Sequence, residues 1–404
     1  MILSLAWRNI WRNKLRSLII MLSVSLGVFA GIAILALYKG MIKSRVRTVI
    51  DREVGHLQLH HTEFKKDFEA EYIIPDGETI MHEVGTWQEI RAISPRTASP
   101  AMLTTATGAS GIQVNGIRWT EENQVSHIAE KIIEGKPLDT LSRHQIILSK
   151  KLSEKLKIHI GNKVILTLTD KNHTINSGAF KVIGIYQTIN TPLDERNVYV
   201  NQSELNLLLN TEGQLHELAI VLQEDELLDE VQHKLKTRFP ALQVENWKEI
   251  SPETELMVAS TDQYMYIFII IIMLALAFGI INTMLMAILE RVRELGMMTA
   301  LGFNKLRLFG LILYETVLLT LAGVPIGILM AWTVTSYFAR HGIDLSSVSK
   351  ESMSSFGFES IIYPQFPYEK LVMVLTIVVV TAVLASILPS LKALSLKPAE
   401  ALSK

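Results

Sequence analysis

Four long apolar runs constrain this chain more than any other feature, lying at residues 18–37, 266–289, 309–338 and 371–391. Each has about the 20 residues with which an α-helix crosses a hydrocarbon core. One run stands near the N-terminus and three crowd toward the C-terminus. Between the first and the second lies a polar stretch long enough to be a folded domain. The expected fold class is therefore an α-helical membrane protein with four transmembrane helices and a large α+β extracytoplasmic domain between the first and second.

Charge beside the runs sets the expected orientation. Arg8, Arg12, Lys14 and Arg16 precede the first run, and Arg291, Arg293, Lys305 and Arg307 lie between the second and third. Lys392, Lys397 and Lys404 follow the fourth. Lysine and arginine concentrate on the cytoplasmic side of short loops, so both termini are expected inside and the large domain outside. The first run is longer than the apolar core of a cleaved signal peptide and reads as an uncleaved anchor. Leu3, Trp7, Ile10 and Trp11 fall at helical spacing with the arginines opposite, which predicts an interfacial helix over 1–17.

The expected organisation then runs in order: transmembrane helix 1 and its stalk at 18–41, the extracytoplasmic domain at 42–262, and transmembrane helices 2–4 at 263–404. A second stalk is expected over 253–263. Within the domain, period-two alternation predicts strands at 56–60 and 112–115; further strands are expected at 163–169, after a turn at Gly161-Asn162, and at 179–186, with shorter ones at 145–148, 198–200 and 218–222. Helices are expected through Leu152 and Leu156, at 203–209 with Ser203 as N-cap, and at 227–239. Residues 62–107 read as the least regular part, and the domain as two lobes without a legible boundary.

Composition excludes several classes of function. A formal net charge of −1 gives no electrostatic case for nucleic acid. With zero cysteines there is no disulfide, no thiolate metal site and no cysteine nucleophile. No G-x-x-x-x-G-K-[ST] loop is present, so any ATP-driven work needs another subunit. No G-x-S-x-G or similar constellation supports catalysis. His56, His60 and His61 cluster, with His56 and His60 on one strand face, and read as exposed strand histidines rather than metal ligands.

The turn between the second and third runs is the most specific local signal. Glu290, Arg291, Arg293, Glu294, Leu295, Gly296, Ala300 and Leu301 form a charged amphipathic stretch with helix formers, and Gly302 stands where a helix would stop. Such a helix suits docking into a groove on a cytoplasmic partner, and equally an ordinary solvated turn. Gly27 and Gly31 in the first run, and Gly323 and Gly327 around Pro325 in the third, have the spacing that allows close helix packing. Asn282 and Glu315 fall at span depth, and Glu315 reads as a structural pair.

These residues resemble a known family. The layout of one span, a large domain and three spans is that of the type VII ABC transporter permeases, the family of the exporter MacB, the cell-division protein FtsX and the lipoprotein-releasing Lol permeases. Ala6-Trp7-Arg8-Asn9-Ile10-Trp11-Arg12-Asn13-Lys14 resembles the N-terminal signature of that family. The stretch from Glu290 to Gly296, with Ala300-Leu301-Gly302, resembles its coupling helix, and Pro389-Ser390-Leu391 with Lys397-Pro398-Ala399 its C-terminal box. Ile146-Ile147-Leu148-Ser149 and Gly161-Asn162-Lys163-Val164 resemble its periplasmic core.

The resemblance implies a non-catalytic permease of the bacterial inner membrane that works by mechanotransmission. A cytoplasmic ABC ATPase dimer, which binds the ATP and magnesium, would grip residues 290–302, and a second permease copy or paralogue would complete the assembly. Gly55-His56-Leu57-Gln58-Leu59-His60 looks like the lipoprotein-releasing LolC/LolE branch. That branch would hand lipoproteins to a periplasmic carrier. A MacB-like efflux permease, or an FtsX-like regulator of a cell-wall hydrolase or sensor kinase, is the alternative.

Overall fold

The structure is a computed structural model of the chain, and it describes residues 8, 12, 14–300, 303–347, 353 and 357–394. The residues of the expected interfacial helix at 1–7, 9–11 and 13, together with Leu301, Gly302 and the end of the C-terminal box, lie outside the described residues. The chain divides into two compact units. One comprises Met1–Ile42, Ala259–Asp344 and Ile361–Lys404, the other Lys43–Val258 and Leu345–Ser360.

The principal helices are α1 (Lys14–Val49), α2 (Trp119–Ser126), α3 (Gln202–Leu209), α4 (Leu228–Arg238), α5 (Thr261–Glu290), α6 (Val292–Ala300), α7 (Lys305–His341) and α8 (Leu371–Leu394). The strands are β1 (Leu57–His61), β2 (Ile90–Thr104), β3 (Ala109–Ile117), β4 (Ile132–Gly135), β5 (Gln145–Ser149), β6 (Lys163–Thr169), β7 (Ile175–Tyr186), β8 (Asn197–Asn201), β9 (Glu217–Leu222) and β10 (Leu242–Asn246).

In the second unit six strands pair in a ring. β2 pairs with β3, β3 with β8, β8 with β5, β5 with β7, β7 with β6, and β6 returns to β2. Alternate residues of these strands point inward and meet. Leu103, Val114, Leu148, Leu166, Phe180 and Val198 belong to one buried cluster. A closed ring of this kind fills its interior with side chains and leaves no edge among its members. β2 continues past the ring to pair with β9, and β1 lies between β9 and β10. A second core forms there from Leu57, Leu59, Leu218, Ile220, Val244 and Trp247, with Val231 and Leu235 of α4 packed among them. The two lobes are these two cores, and β2 is the strand they share.

That strand overturns the expectation that residues 62–107 are irregular. Pro95 and Pro100 interrupt the alternation that would have marked it. Each stands where one flank of β2 has no partner. At Pro95 only β9 is paired, and at Pro100 only β3, so neither missing N–H interrupts a ladder. A helix at Gly77–Gly85 adds further order to the same stretch. A smaller correction concerns α3, which begins at Gln202 after Asn201, so Ser203 is not its N-cap.

In the first unit the helices long and apolar enough to cross a membrane lie within Ser17–Val54, Pro252–Glu290, Lys305–His341 and Tyr368–Leu394. Ile20, Val24, Leu276, Ile280, Leu319 and Val378 share its core. Leu274, Phe278, Leu329 and Leu384 remain exposed, as lipid-facing side chains would be. The expected second stalk is helical, at Pro252–Ala259 and again from Thr261 at the start of α5, with a single turn residue, Ser260, between the two helices.

Candidate functional site

Good helix formers carry α5 to Glu290, but the backbone breaks at Arg291, whose φ of −109° and ψ of 18° leave the helical region. The chain restarts as α6 and ends at Ala300. Asn304 then caps α7, its side chain accepting from the Leu306 amide at 3.3 Å. The turn is thus a short helix set between two long ones. Its start lies later than the sequence suggests, with Glu290 closing the preceding helix and Arg291 forming the corner.

Arg291 is the anchor of this arrangement. Its guanidinium is buried, and Nη1 lies 3.3 Å from Oε1 of Glu315 on α7. The two side chains are only 9% and 7% exposed, so each charge depends on the other for compensation. Nε of Arg291 also lies 3.5 Å from Oε2 of Glu294. Glu294 in turn pairs with Arg12 from the N-terminal segment. Glu315, an acid at span depth, is thereby neutralised by a residue of the turn itself, a partnership that spacing alone does not reveal.

The nine turn residues divide by environment. Arg291, Leu295 and Gly296 are buried, and Leu295 joins the core of the membrane helices. Glu290, Arg293 and Glu294 are exposed. Ala300 closes α6, while Leu301 and Gly302 are outside the described residues. Met297, which the sequence reading did not single out, is 52% exposed one turn beyond Arg293. Charged and apolar side chains are therefore both exposed on α6, while the corner that precedes it is tied to α7 by Arg291.

The glycine pairs lie at helix contacts. A Cβ on Gly323 would stand 2.8 Å from the Met21 carbonyl oxygen, and one on Gly327 would stand 2.6 Å from that of Ser25. The Ser25 hydroxyl donates to the Gly323 carbonyl at 2.8 Å. On the first helix, a Cβ on Gly27 would stand 2.8 Å from the Leu276 side chain and one on Gly31 would stand 3.7 Å from that of Ile272. The α7 pair thus faces backbone, and the α1 pair faces side chains of α5.

The histidine cluster differs from its expected exposure. His56 and His60 are both buried because β1 is an interior strand. Nε2 of His56 lies 3.0 Å from Asp225, and Nε2 of His60 lies 3.0 Å from Glu245. Burial lowers the pKa of His56, against the pull of Asp225. Near them Arg96 makes two 2.8 Å bonds to Glu122 and one of 3.2 Å to Glu217. Lys65 reaches Glu217 at 2.6 Å. Burial pushes the Glu217 carboxyl up, but Lys65 and Arg96 more than reverse this and hold it at about 2. Among the described residues, no group of three His, Cys, Asp or Glu is arranged to hold a metal ion.

Comparison with known proteins agrees with this architecture. Residues 17–238 match the MacB-like periplasmic core domain, and residues 266–398 match the FtsX-like permease C-terminal domain. The lipoprotein-releasing system transmembrane protein LolC of Neisseria meningitidis serogroup B is 23% identical, over 76% of this chain and 75% of that protein. An uncharacterised ABC transporter permease of Methanocaldococcus jannaschii is 22% identical, over 84% of this chain and 86% of that protein. The solved periplasmic region of MacB from Actinobacillus actinomycetemcomitans aligns with 54% of this chain and 95% of its own, with a TM-score of 0.37 and 13% identity. The extracellular domain of the noncanonic ABC-type transporter YknZ from Gram-positive bacteria aligns with 48% of this chain and 100% of its own, with a TM-score of 0.35 and 16% identity. On the two domain matches, which together span the sheet domain and the membrane helices, the chain belongs to the MacB/FtsX-type ABC transporter permeases.

Proposed function

We propose that this permease releases lipoproteins from the outer leaflet of a bacterial inner membrane toward a periplasmic carrier, driven by a separate cytoplasmic ATPase. The similarity to LolC along most of both chains supports the branch. Both termini would face the cytoplasm, and ATP with magnesium would be held by the ATPase dimer. A second permease copy or paralogue would complete the working unit.

The observation that carries the coupling is the buried Arg291–Glu315 pair. It ties the corner before α6 to α7 and leaves Glu290, Arg293, Glu294 and Met297 exposed, and these would form the surface that the ATPase grips. A force applied by the ATPase to that surface would pass into α7 through a charge pair that is costly to break. Arg293→Glu with Met297→Asp is expected to abolish co-purification of the ATPase while membrane insertion persists. Retention of the ATPase by that variant would refute the coupling surface.

Mass spectrometry of everything that co-purifies with the intact protein in mild detergent tests the substrate. An ATPase together with acylated lipoproteins is the expected result. An ATPase with an adaptor protein or a wall hydrolase, and no lipoprotein, would move the assignment to efflux or to regulation.

A further inference from the structure

The sheet domain contains a cavity of about 490 Å³ outside the wall of the strand ring. Gln113 and Asn115 of β3 and Tyr199 of β8 form one side of it, and Arg52 and Lys131 are among the residues that complete it. The volume falls within the range typical of small-molecule sites. Most charged groups around it are already satisfied. Glu122 is taken by Arg96 and Ser94, and Glu217 by Arg96 and Lys65. Glu53 accepts from Arg45 and Asn190, and Asp194 accepts from the amide and hydroxyl of Thr188.

Two donors are left over. The Lys131 ammonium is partly buried and donates to the Arg52 carbonyl at 2.6 Å, and among the described residues no carboxylate forms an ion pair with it. Burial draws its pKa down to about 8, although Glu122 and Glu53 pull the other way. The Tyr199 ring packs edge-on against Tyr186 at 5.2 Å. Whereas the Tyr186 hydroxyl donates to the Asn197 carbonyl, that of Tyr199 makes no hydrogen bond among the described residues. A cation drawn out of water without an anionic partner costs stability, and such groups concentrate at functional sites. Exposed Arg196 adds a further positive charge to the lining, and Phe68, Ile117, Ile189 and Ile250 supply apolar wall.

We infer that this cavity binds a small organic anion, with Lys131 pairing its carboxylate or phosphate, the Tyr199 hydroxyl donating to it, and the apolar wall receiving its body. The residues that would touch the ligand include Thr48 and Arg52, which follow directly on α1 or lie at its end, together with sheet residues. Occupancy would therefore bridge the end of α1 to the strand ring within the sheet domain. This inference stands apart from the lipoprotein assignment and does not need it.

The test uses the full chain in nanodiscs of neutral phosphatidylcholine, titrated calorimetrically with N-acetylphenylalanine, its uncharged amide and inorganic phosphate. Saturable binding of the carboxylate, at least tenfold tighter than the amide, is expected. Competition by phosphate would identify the headgroup as a general anion, and its absence would identify a carboxylate site. Lys131→Met should weaken binding at least tenfold and Tyr199→Phe about threefold, with each variant's melting point recorded. Should Lys131→Met fail to fold, the Tyr199→Phe loss and the amide comparison decide. No saturable binding of either anion, equal binding of the amide, or unchanged binding in a folded Lys131→Met would overturn the site.

Discussion

The sheet domain and the membrane helices bury charge in opposite ways. In the sheet domain Arg96, Glu122, Glu217 and Lys65 form a connected network in which each carboxylate has at least two donors. Among the membrane helices, buried Arg291 has one buried carboxylate partner, Glu315, and a half-exposed one, Glu294. Packing differs as well. The ring is filled by large inward-facing side chains such as Leu103 and Phe180, whereas α1 and α7 approach through glycines and one serine hydroxyl. Water around the sheet domain rewards hiding apolar bulk. Lipid around the helices gives no such reward, so close backbone approach and a few polar contacts must hold them.

The comparison is tested most severely by removing half of the membrane pair. Glu315→Ala leaves buried Arg291 with only the half-exposed Glu294 as a charge partner, and a loss of about 3–5 kcal/mol is expected in reversible unfolding in detergent. The double change Arg291→Met with Glu315→Leu should restore most of it. A double variant no better than the single would show that the pair is not the source of the loss.

Acid should act on the network instead. Glu217 sits at about 2 when folded, against an ordinary value of 4.5. A depressed carboxylate stabilises the fold above its unfolded pKa and loses that contribution as pH falls toward its folded value. The sheet domain is thus expected to lose a few kcal/mol between about pH 5 and pH 2. Glu217→Gln should flatten that part of the profile.

The glycine contacts give a graded series. Gly327→Val meets backbone at 2.6 Å and should cost about 1–3 kcal/mol by overpacking. Gly27→Ala meets only the movable tip of Leu276 and should cost less, and Gly31→Ala, with its neighbour at 3.7 Å, should be close to neutral. Ser25→Ala, which removes the hydroxyl bond to Gly323, is expected to cost only about 0.6 kcal/mol. Melting of the four variants in one detergent would check the order.

Legibility in the sequence followed the clarity of the local pattern. β6 is found over residues 163–169, where the sequence predicts it, because one face is in the ring and the other is exposed. The apolar runs identify the membrane helices for the same reason. β2 was hidden because two prolines interrupt it, and their tolerance depends on which flank happens to be unpaired. The burial of His56 and His60 was illegible because it depends on β1 lying between β9 and β10, a pairing set by residues far along the chain. In the turn, the residue types were visible, but Arg291 reads as one more surface charge until α7 brings Glu315 against it.

The return of β6 to β2 also has a consequence for how the domain is made. Leu103 must meet Leu166 before the ring exists, with its four other strands already in place or waiting. Pairings between residues so distant in sequence form late, because chain entropy is lost before any contact rewards it. Until that seam closes, β2 and β6 each present an open ladder to whatever else is unfolded nearby. Slow folding and exposure to aggregation are therefore expected while the non-local seams, this one and the still longer-range pairing of β3 with β8 among them, remain unformed.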